Sequence, residues 1–535
     1  PSGKPEHAFK TSTCRNISKL AGYCLGRVVT LCEAPFAISL KIVAPSYGMK
    51  CAPEFLLNSL RSQPRIFWEV TSVPANVVTH IRNMDAISAF ISQSPGGQCI
   101  SPNLLPFLIN EAQVTQPDAS MFGTAPALDP EGQKGLNLRQ KEAVSRMLDS
   151  TVSLVHGPGG TGKTCTAVQM MLTILERSDH RLLVCAETRL ACDNLALRFL
   201  CETEKGYFPI RVGRVAEETK NADLLDIGLE TMVRKRVKPK PRQEFFLGKY
   251  KRTIAEVLAE SRIVFATCAG SGDPVLNNQT FESVIMDEAS MTTEPAALTP
   301  LARGCCHLVM IGDHKQLGPH ANDGLSCSLF ERLSNKKDVR EEAPMTFLNV
   351  QHRMHPQLCS FPSRMFYDSK LLTAADMGSL RIPPTTFFKA RNPFRFVDVP
   401  NGREARIKRS SWYNEVEIDR LLEILDKLLG DDSLDASKIT VLTFYRAQQL
   451  KIRESLSNWN KPAPEVSSVD GFQGKENEVI VASTVRSGNV LGFCDNERRL
   501  NVLFTRAKRG LVVIGRRDTL KLSPIWSAWL QDLKY

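Results

Sequence analysis

Eight consecutive residues constrain this chain more than any other feature: Gly157, Pro158, Gly159, Gly160, Thr161, Gly162, Lys163 and Thr164. They match the pattern G-x-x-x-x-G-K-[ST] in full and stand where its mechanism needs them. The apolar run TVSLVHG (151–157) before them reads as a buried strand, and KTCTAVQMMLTIL (163–175) after them as a helix. Glycines at such a turn let backbone N–H groups wrap a β-phosphate, and the helix N-terminus adds its positive end. Lys163 can reach the β and γ oxygens of a bound triphosphate, and Thr164 can ligate Mg2+.

The surrounding pattern is α/β. RLLVCAE (181–187), IVFATC (263–268), SVIMDEAS (283–290) and HLVMIGD (307–313) read as strands, and LRQKEAVSRML (138–148) as an amphipathic helix. Continuous apolar strands alternating with helices imply a parallel sheet covered on both faces. A second series starts near residue 345, with strands expected at 346–350, 439–445, 478–484 and 510–515. Two series suggest two stacked sheets with a cleft between them. The expected division is an accessory region at 1–135, a first α/β domain at 136–340 and a second at 341–535. Between 204 and 260 the strand pattern breaks into a charged, helical segment, read as an insertion in the first domain. In the accessory region, 26–45 reads as two short strands around a turn, 73–91 as a helix and 93–134 as a loop-rich connector.

Composition removes some classes. No run approaches the roughly 18 apolar residues of a membrane span, so no membrane partner is expected. The 15 cysteines are scattered without C-x-x-C spacing, against a zinc module or a disulfide framework. They suit a reducing compartment, cytoplasmic or nuclear, with the cytoplasm favoured. The net charge of +11 is compatible with a polyanionic partner. The chain opens at Pro1 without a Met or signal-peptide pattern, so it is taken as a fragment.

Further motifs supply the remaining parts of a phosphoryl-transfer site. VIMDEAS (284–290) puts two carboxylates at the end of a buried strand. Hydrolysis needs a metal ligand and a group that orients water; Asp287 suits the first role and Glu288 the second. In GDHKQLGP (312–319), Gln316 can contact the γ-phosphate or the water. QHRMHP (351–356) and NVLFTRAKRG (501–510) offer Arg353 and Arg506, which can stabilise charge spreading over the γ oxygens. If the phosphates bind the first domain and the arginines belong to the second, ATP clamps the two together and hydrolysis removes the clamp. A P-loop kinase would not need the second α/β series with its own arginines.

In order and wording these motifs resemble the superfamily 1 helicases of the up-frameshift type, the ATP-dependent helicases of nonsense-mediated mRNA decay. The resemblance runs from about residue 136 to 529. It implies two RecA-like P-loop domains with parallel sheets, a partial β-barrel on a stalk, and a helical insertion in the first domain. It implies ATP and Mg2+ as cofactors, and a monomer moving 5′ to 3′ on single-stranded nucleic acid, with RNA the usual substrate. LNLRQKEAV resembles the adenine-reading motif, which carries over to Gln140. VDGFQGKE (469–476) resembles the motif in which Gly474 approaches the phosphates and Glu476 the ribose. His352 stands where the family carries a Tyr placed against adenine. AETRLACD (186–193) replaces the family's A-P-S-N-x-A-x-D and puts Glu187 near a phosphate path. The family's cysteine–histidine zinc module has no counterpart in this sequence, so binding through it is not expected.

By the same resemblance, Thr188, Thr267, Thr443 and Ser468 are candidates for contact with a single strand. Hydroxyls suit that task because they bond phosphates without fixing sequence. The run VRKRVKPKPRQEFFLGKYKR (233–252) could add salt-dependent affinity, or be a solvated charged hairpin. His314, His352 and His355 are read as structural or stacking residues. Two rivals stand beside an RNA helicase: a DNA helicase of replication or repair, and an ATP-gated RNA-binding clamp in a ribonucleoprotein complex that unwinds little.

Overall fold

The structure is a computed structural model. It describes residues 25–31, 38–43, 75–92, the single positions 104, 108 and 122, and 135–533 less short stretches at 204–205, 217–220, 238–242, 322–324, 336–344, 384–386, 389–391, 408–410 and 431–433. In the first 80 residues the described hairpin is β1 (Leu25–Leu31) antiparallel to β2 (Ile38–Val43), where two strands were expected. The remainder of the expected barrel, and the connector apart from Leu104, Leu108 and Phe122, which are buried, lie outside the described residues.

The first lobe is built on a seven-stranded sheet in the order β5-β6-β4-β7-β8-β3-β9. Its strands are β3 (Val152–His156), β4 (Leu182–Ala186), β5 (Ile210–Arg211), β6 (Ile263–Thr267), β7 (Ser283–Asp287), β8 (His307–Gly312) and β9 (Met345–Phe347). Every pairing is parallel. The reason lies in the strand sequences. Leu154, Leu183, Val284 and Leu308 feed one apolar layer, whereas Val155, Val184, Ile285 and Val309 feed the layer on the other face. A strand buried on both sides cannot alternate polar with apolar, and helices must cover both faces.

The second lobe carries a five-stranded sheet in the order β12-β18-β17-β15-β16. Its strands are β12 (Phe394–Asp398), β15 (Ile439–Thr443), β16 (Glu465–Ser468), β17 (Asn477–Ser483) and β18 (Ala507–Gly515), again parallel throughout; between β12 and β15 in the chain, β13 (Glu404–Ile407) and β14 (Ser411–Asn414) form a separate antiparallel pair. Leu442, Ile480 and Val513 face one layer, and Val441, Val481 and Val512 the other. On the first layer Trp526 and Trp529, both fully buried, pack edge-to-face at 5.6 Å.

Two expectations are corrected. The stretch 346–350 was expected to begin the second sheet, but β9 adds parallel to β3 and closes the first. The crossover follows it, as β10 (Val350–Gln351) pairs with β11 (Leu372–Thr373). The segment 204–260 was read as a helical insertion in the first domain. Its start is β5, the sheet's edge strand, pinned by a buried ion pair between Arg211 Nε and Asp193 Oδ1 at 2.7 Å. Helices at Ala222–Asp226, Leu229–Arg236 and Gln243–Glu260 follow. No helix among the described residues is long and apolar enough to cross a membrane.

Candidate nucleotide site between the lobes

Strand order decides where chemistry gathers. The phosphate-loop strand β3 lies between β8 and β9. The loop therefore sits beside the residues after β8 and beside the crossover into the second lobe. Gly157 N donates to Gly312 O at 3.0 Å, tying the loop to the end of β8. Thr161 Oγ1 donates to Pro158 O at 2.8 Å and closes the turn. Gly160 and Gly162 have φ of +81° and +80°, a region costly for residues with a Cβ. Gly162 then caps the helix Lys163–Arg177. Gln140, itself buried, donates from Nε2 to Thr161 O at 3.1 Å and braces the loop from behind. Lys163 Nζ donates to Gly157 O at 3.0 Å and lies 3.6 Å from Glu288 Oε1.

Asp287 ends β7 and is buried. Burial, and then the neighbouring Glu288, push its carboxyl up to about 7; Lys163 pulls the other way. Glu288 follows in a left-handed conformation, φ 51°, unusual for a residue with a Cβ. A buried carboxylate beside a second one, with a single lysine against them, is under-compensated in charge. That suits a small hard cation, which takes one or two carboxylates plus phosphate oxygens and waters. Asp287 and the Thr164 hydroxyl are oxygen donors of the right kind.

The second lobe meets this site directly. His352 N donates to Gly160 O at 2.8 Å, so the crossover backbone is bonded to the loop. A Cβ built on Gly159 would lie 2.9 Å from Arg353 Nη1 and 3.1 Å from Arg506 Nη2; one built on Gly160 would lie 2.6 Å from Arg353 Cβ. Both guanidinium groups therefore stand against the loop's glycines. Arg353 is held by Glu476 and by Nη1 donating to Thr505 O at 2.9 Å. Burial works against the Glu476 charge, but Arg353 and Lys508 outweigh it and keep that carboxyl below its usual range. Arg506 is 1% exposed and donates to Val502 O, Lys475 O and Gln316 Oε1 at 3.0, 3.1 and 3.2 Å. Burial, and then the facing Arg353, bring its guanidinium down to about 9, still cationic at neutral pH.

The expected residues divide into those gathered here and those elsewhere. Lys163, Thr164, Asp287, Glu288, Gln316, Arg353 and Arg506 lie around the loop, and Gln140 supports it. Glu476 binds Arg353 and Lys508. Gly474 takes φ +81° in the turn before it, and the His352 side chain is exposed. Of the four hydroxyl candidates, Thr188 follows β4 and Thr267 ends β6, both on the far side of β7 from the phosphate loop. Each caps the next helical turn, accepting from Ala191 N at 3.2 Å and Gly270 N at 3.0 Å. Ser468 ends β16 and accepts from Gly471 N at 3.0 Å. Thr443 ends β15, is fully buried, and its hydroxyl accepts from Tyr445 N at 3.5 Å. Glu187 turns inward, where burial raises its pKa and one carboxylate oxygen has no hydrogen-bond partner. Part of the basic run is already neutralised: Arg234, Arg236 and Arg252 pair with Glu230, Glu260 and Glu256. Asp313, Tyr367 and Asn501, not singled out in the sequence, join the site through buried hydrogen bonds. Their signal was position alone, since Asp313 and Asn501 lie inside quoted motifs.

Family models described as "AAA domain" match residues 135–256 and 242–321, and residues 325–518. The "ATP-dependent helicase NAM7" of Saccharomyces cerevisiae is 32% identical over 73% of this chain and 43% of its own length. The "Regulator of nonsense transcripts 1" of Caenorhabditis elegans is 30% identical over 88% of this chain and 46% of its own. An uncharacterised ATP-dependent helicase of Methanocaldococcus jannaschii is 32% identical over 75% of this chain and 71% of its own. The chain thus spans less than half the length of the yeast and nematode relatives. It belongs to the superfamily 1 ATP-dependent helicases of the up-frameshift type.

Proposed function

We propose that this chain is the motor core of an ATP-dependent helicase or translocase that acts, as a monomer, on single-stranded nucleic acid. RNA is the proposed substrate and 5′ to 3′ the proposed direction. One observation carries the reading: Arg353 and Arg506, anchored in the second lobe, stand against Gly159 and Gly160 of the first. A triphosphate on the loop amides would touch both lobes. The nematode relative is a regulator of nonsense transcripts, which favours RNA.

In this reading the loop amides and Lys163 hold the β and γ oxygens. Thr164 and Asp287 would hold Mg2+, which would supply positive charge to offset that of the phosphates. Glu288 takes the proton of the attacking water, and Gln316 orients that water. Arg353 and Arg506 stabilise the charge that develops on the γ-phosphoryl group. Loss of the γ-phosphate removes what the arginines grip, and the lobes part. Thr188, Thr267 and Ser468 grip the strand, and different grips in the two states make the motion directional.

The test is ATP hydrolysis by the wild type and Glu288→Gln with poly-RNA, single-stranded DNA or no polymer. The expected result is strong stimulation of the wild type, greater with RNA, and none of the variant. Equal turnover with and without polymer overturns the proposal.

A further inference from the structure

The lobes meet at a second point, beside the phosphate loop. Asp313 follows β8 and is 1% exposed. Its Oδ1 takes hydrogen bonds from His156 Nε2 at 2.9 Å and Lys315 N at 3.0 Å. Its Oδ2 accepts from Gln316 Nε2 at 2.8 Å and from the Tyr367 hydroxyl at 2.7 Å. Tyr367 comes from the second lobe, at the end of the helix Pro356–Phe366. Its oxygen accepts in turn from Asn501 Nδ2 at 2.8 Å, and that nitrogen also donates to Lys315 O at 2.9 Å. Burial opposes the Asp313 charge, but His156, Lys163 and the Tyr367 hydroxyl outweigh it and hold the carboxyl far below its usual range.

Chemistry fixes the direction of every bond. A carboxylate only accepts and a guanidinium only donates. The Gln316 carboxamide must therefore turn its NH2 to Asp313 and its oxygen to Arg506. The Tyr367 phenol must give its proton to Asp313, which leaves its oxygen to accept from Asn501. The result is a closed ring from the second lobe through Tyr367 to Asp313 and Gln316 of the first, and back to Arg506. The helix Glu497–Phe504, which carries Asn501, is also tied toward Ser468. Arg499 donates from Nε and Nη2 to Asp470 at 2.7 and 2.8 Å, in the turn that Ser468 caps.

We propose that Tyr367 is a positioning residue that passes the state of the bound strand to the hydrolysis site, by holding Asp313 and through it the Gln316 carboxamide. The inference rests on the single-strand motor reading and names the hydroxyl through which the lobes communicate. When Arg506 turns to the γ-phosphate, Gln316 loses its partner on the oxygen side only. Asp313, still held by Tyr367, keeps the NH2 side fixed. The freed oxygen stays beside the phosphate loop and accepts from the attacking water. A shift at the Ser468 turn moves Asp470, Arg499 and Asn501, and so reaches Gln316 through the Tyr367 phenol, beside the bond from Asn501 to Lys315 O.

Tyr367→Phe keeps the ring, which lies 6.2 Å from His156 and 6.4 Å from Phe347, and deletes one oxygen. The readouts are the ratio of ATP turnover with poly-RNA to that without, the KM for ATP, and strand displaced per ATP hydrolysed. The stimulation ratio and the displacement per ATP should each fall at least fivefold, with the KM within twofold of wild type. A merely structural role would lower both turnover rates together and leave the ratio unmoved. If thermal melting shows Tyr367→Phe to be unfolded, Asn501→Leu replaces it, since it removes the donor to the phenol; the same fall in ratio is expected. A stimulated wild type with an equally stimulated variant overturns the coupling alone. A wild type that no polymer stimulates overturns the motor reading and the coupling with it.

Discussion

Gly160→Ala tests the interlobe geometry at its tightest point. Gly160 has φ +81°, and an added Cβ would sit 2.6 Å from Arg353 Cβ and 3.5 Å from Arg353 N. Carbon atoms in contact settle at about 3.5–4.0 Å, so Arg353 and the crossover must give by roughly 1 Å. The obstruction is the root of the side chain and its backbone, so no rotamer change relieves it. The left-handed backbone adds about 1–2 kcal/mol of strain in stability. A misplacement of about 1 Å in a catalytic group costs on the order of a hundredfold in rate, which corresponds to about 2.7 kcal/mol of barrier. The assay is steady-state ATP hydrolysis with a thermal melt beside it. Gly135→Ala is the control, because Gly135 shares the left-handed backbone, φ +92°, but an added Cβ there meets nothing within 4 Å. We expect Gly160→Ala to lose about two orders of magnitude in kcat, and Gly135→Ala to lose only stability. A Gly160→Ala enzyme with near-wild-type turnover would refute the argument that Arg353 works against this loop.

Two further perturbations address other parts of the molecule. At Gly162 an added Cβ would lie 2.4 Å from Gln140 Nε2, so Gly162→Ala should displace that carboxamide from Thr161 and raise the KM for ATP more than it lowers kcat, as measured by initial rates. Glu417 is 1% exposed, and burial pushes its carboxyl up to about 8 although Ser483 Oγ and Val485 N donate to it. Its folded pKa lies above the unfolded value of about 4.3, so its stabilising contribution is complete below about pH 4.3 and is lost as pH rises through about 8. Glu417→Gln mimics the neutral acid and does not titrate; urea melts between pH 5 and 8 should show the variant gaining on the wild type as pH rises, and a constant difference would show that Glu417 does not titrate in this window.

What the sequence made legible follows from the range of the physics. Phosphate binding needs contiguous glycines, a lysine and a hydroxyl at one strand-to-helix turn, so residues 157–164 carry their own explanation. Asp287 and Glu288 are legible for the same reason, because they end an apolar strand. The ring through Asp313 and Tyr367 was not, since its partners lie 54 and 134 positions apart and meet only when the lobes pack. β9 is three residues long, too short for its pattern to say which sheet it joins. Thr443 has the hydroxyl that strand contact requires, but its burial at the end of β15 depends on the packing of the sheet and does not show in the sequence. The basic run is dense in sequence, yet three of its arginines meet glutamates one helical turn away or on the neighbouring helix.

The central claim is that one triphosphate is held by both lobes at once. A crystal structure with Mg2+ and a non-hydrolysable ATP analogue tests it most directly. The account predicts the phosphates on the amides of 157–164, with the guanidinium groups of Arg353 and Arg506 on the γ oxygens. Phosphates on that loop with both arginines turned away and the lobes apart would contradict it.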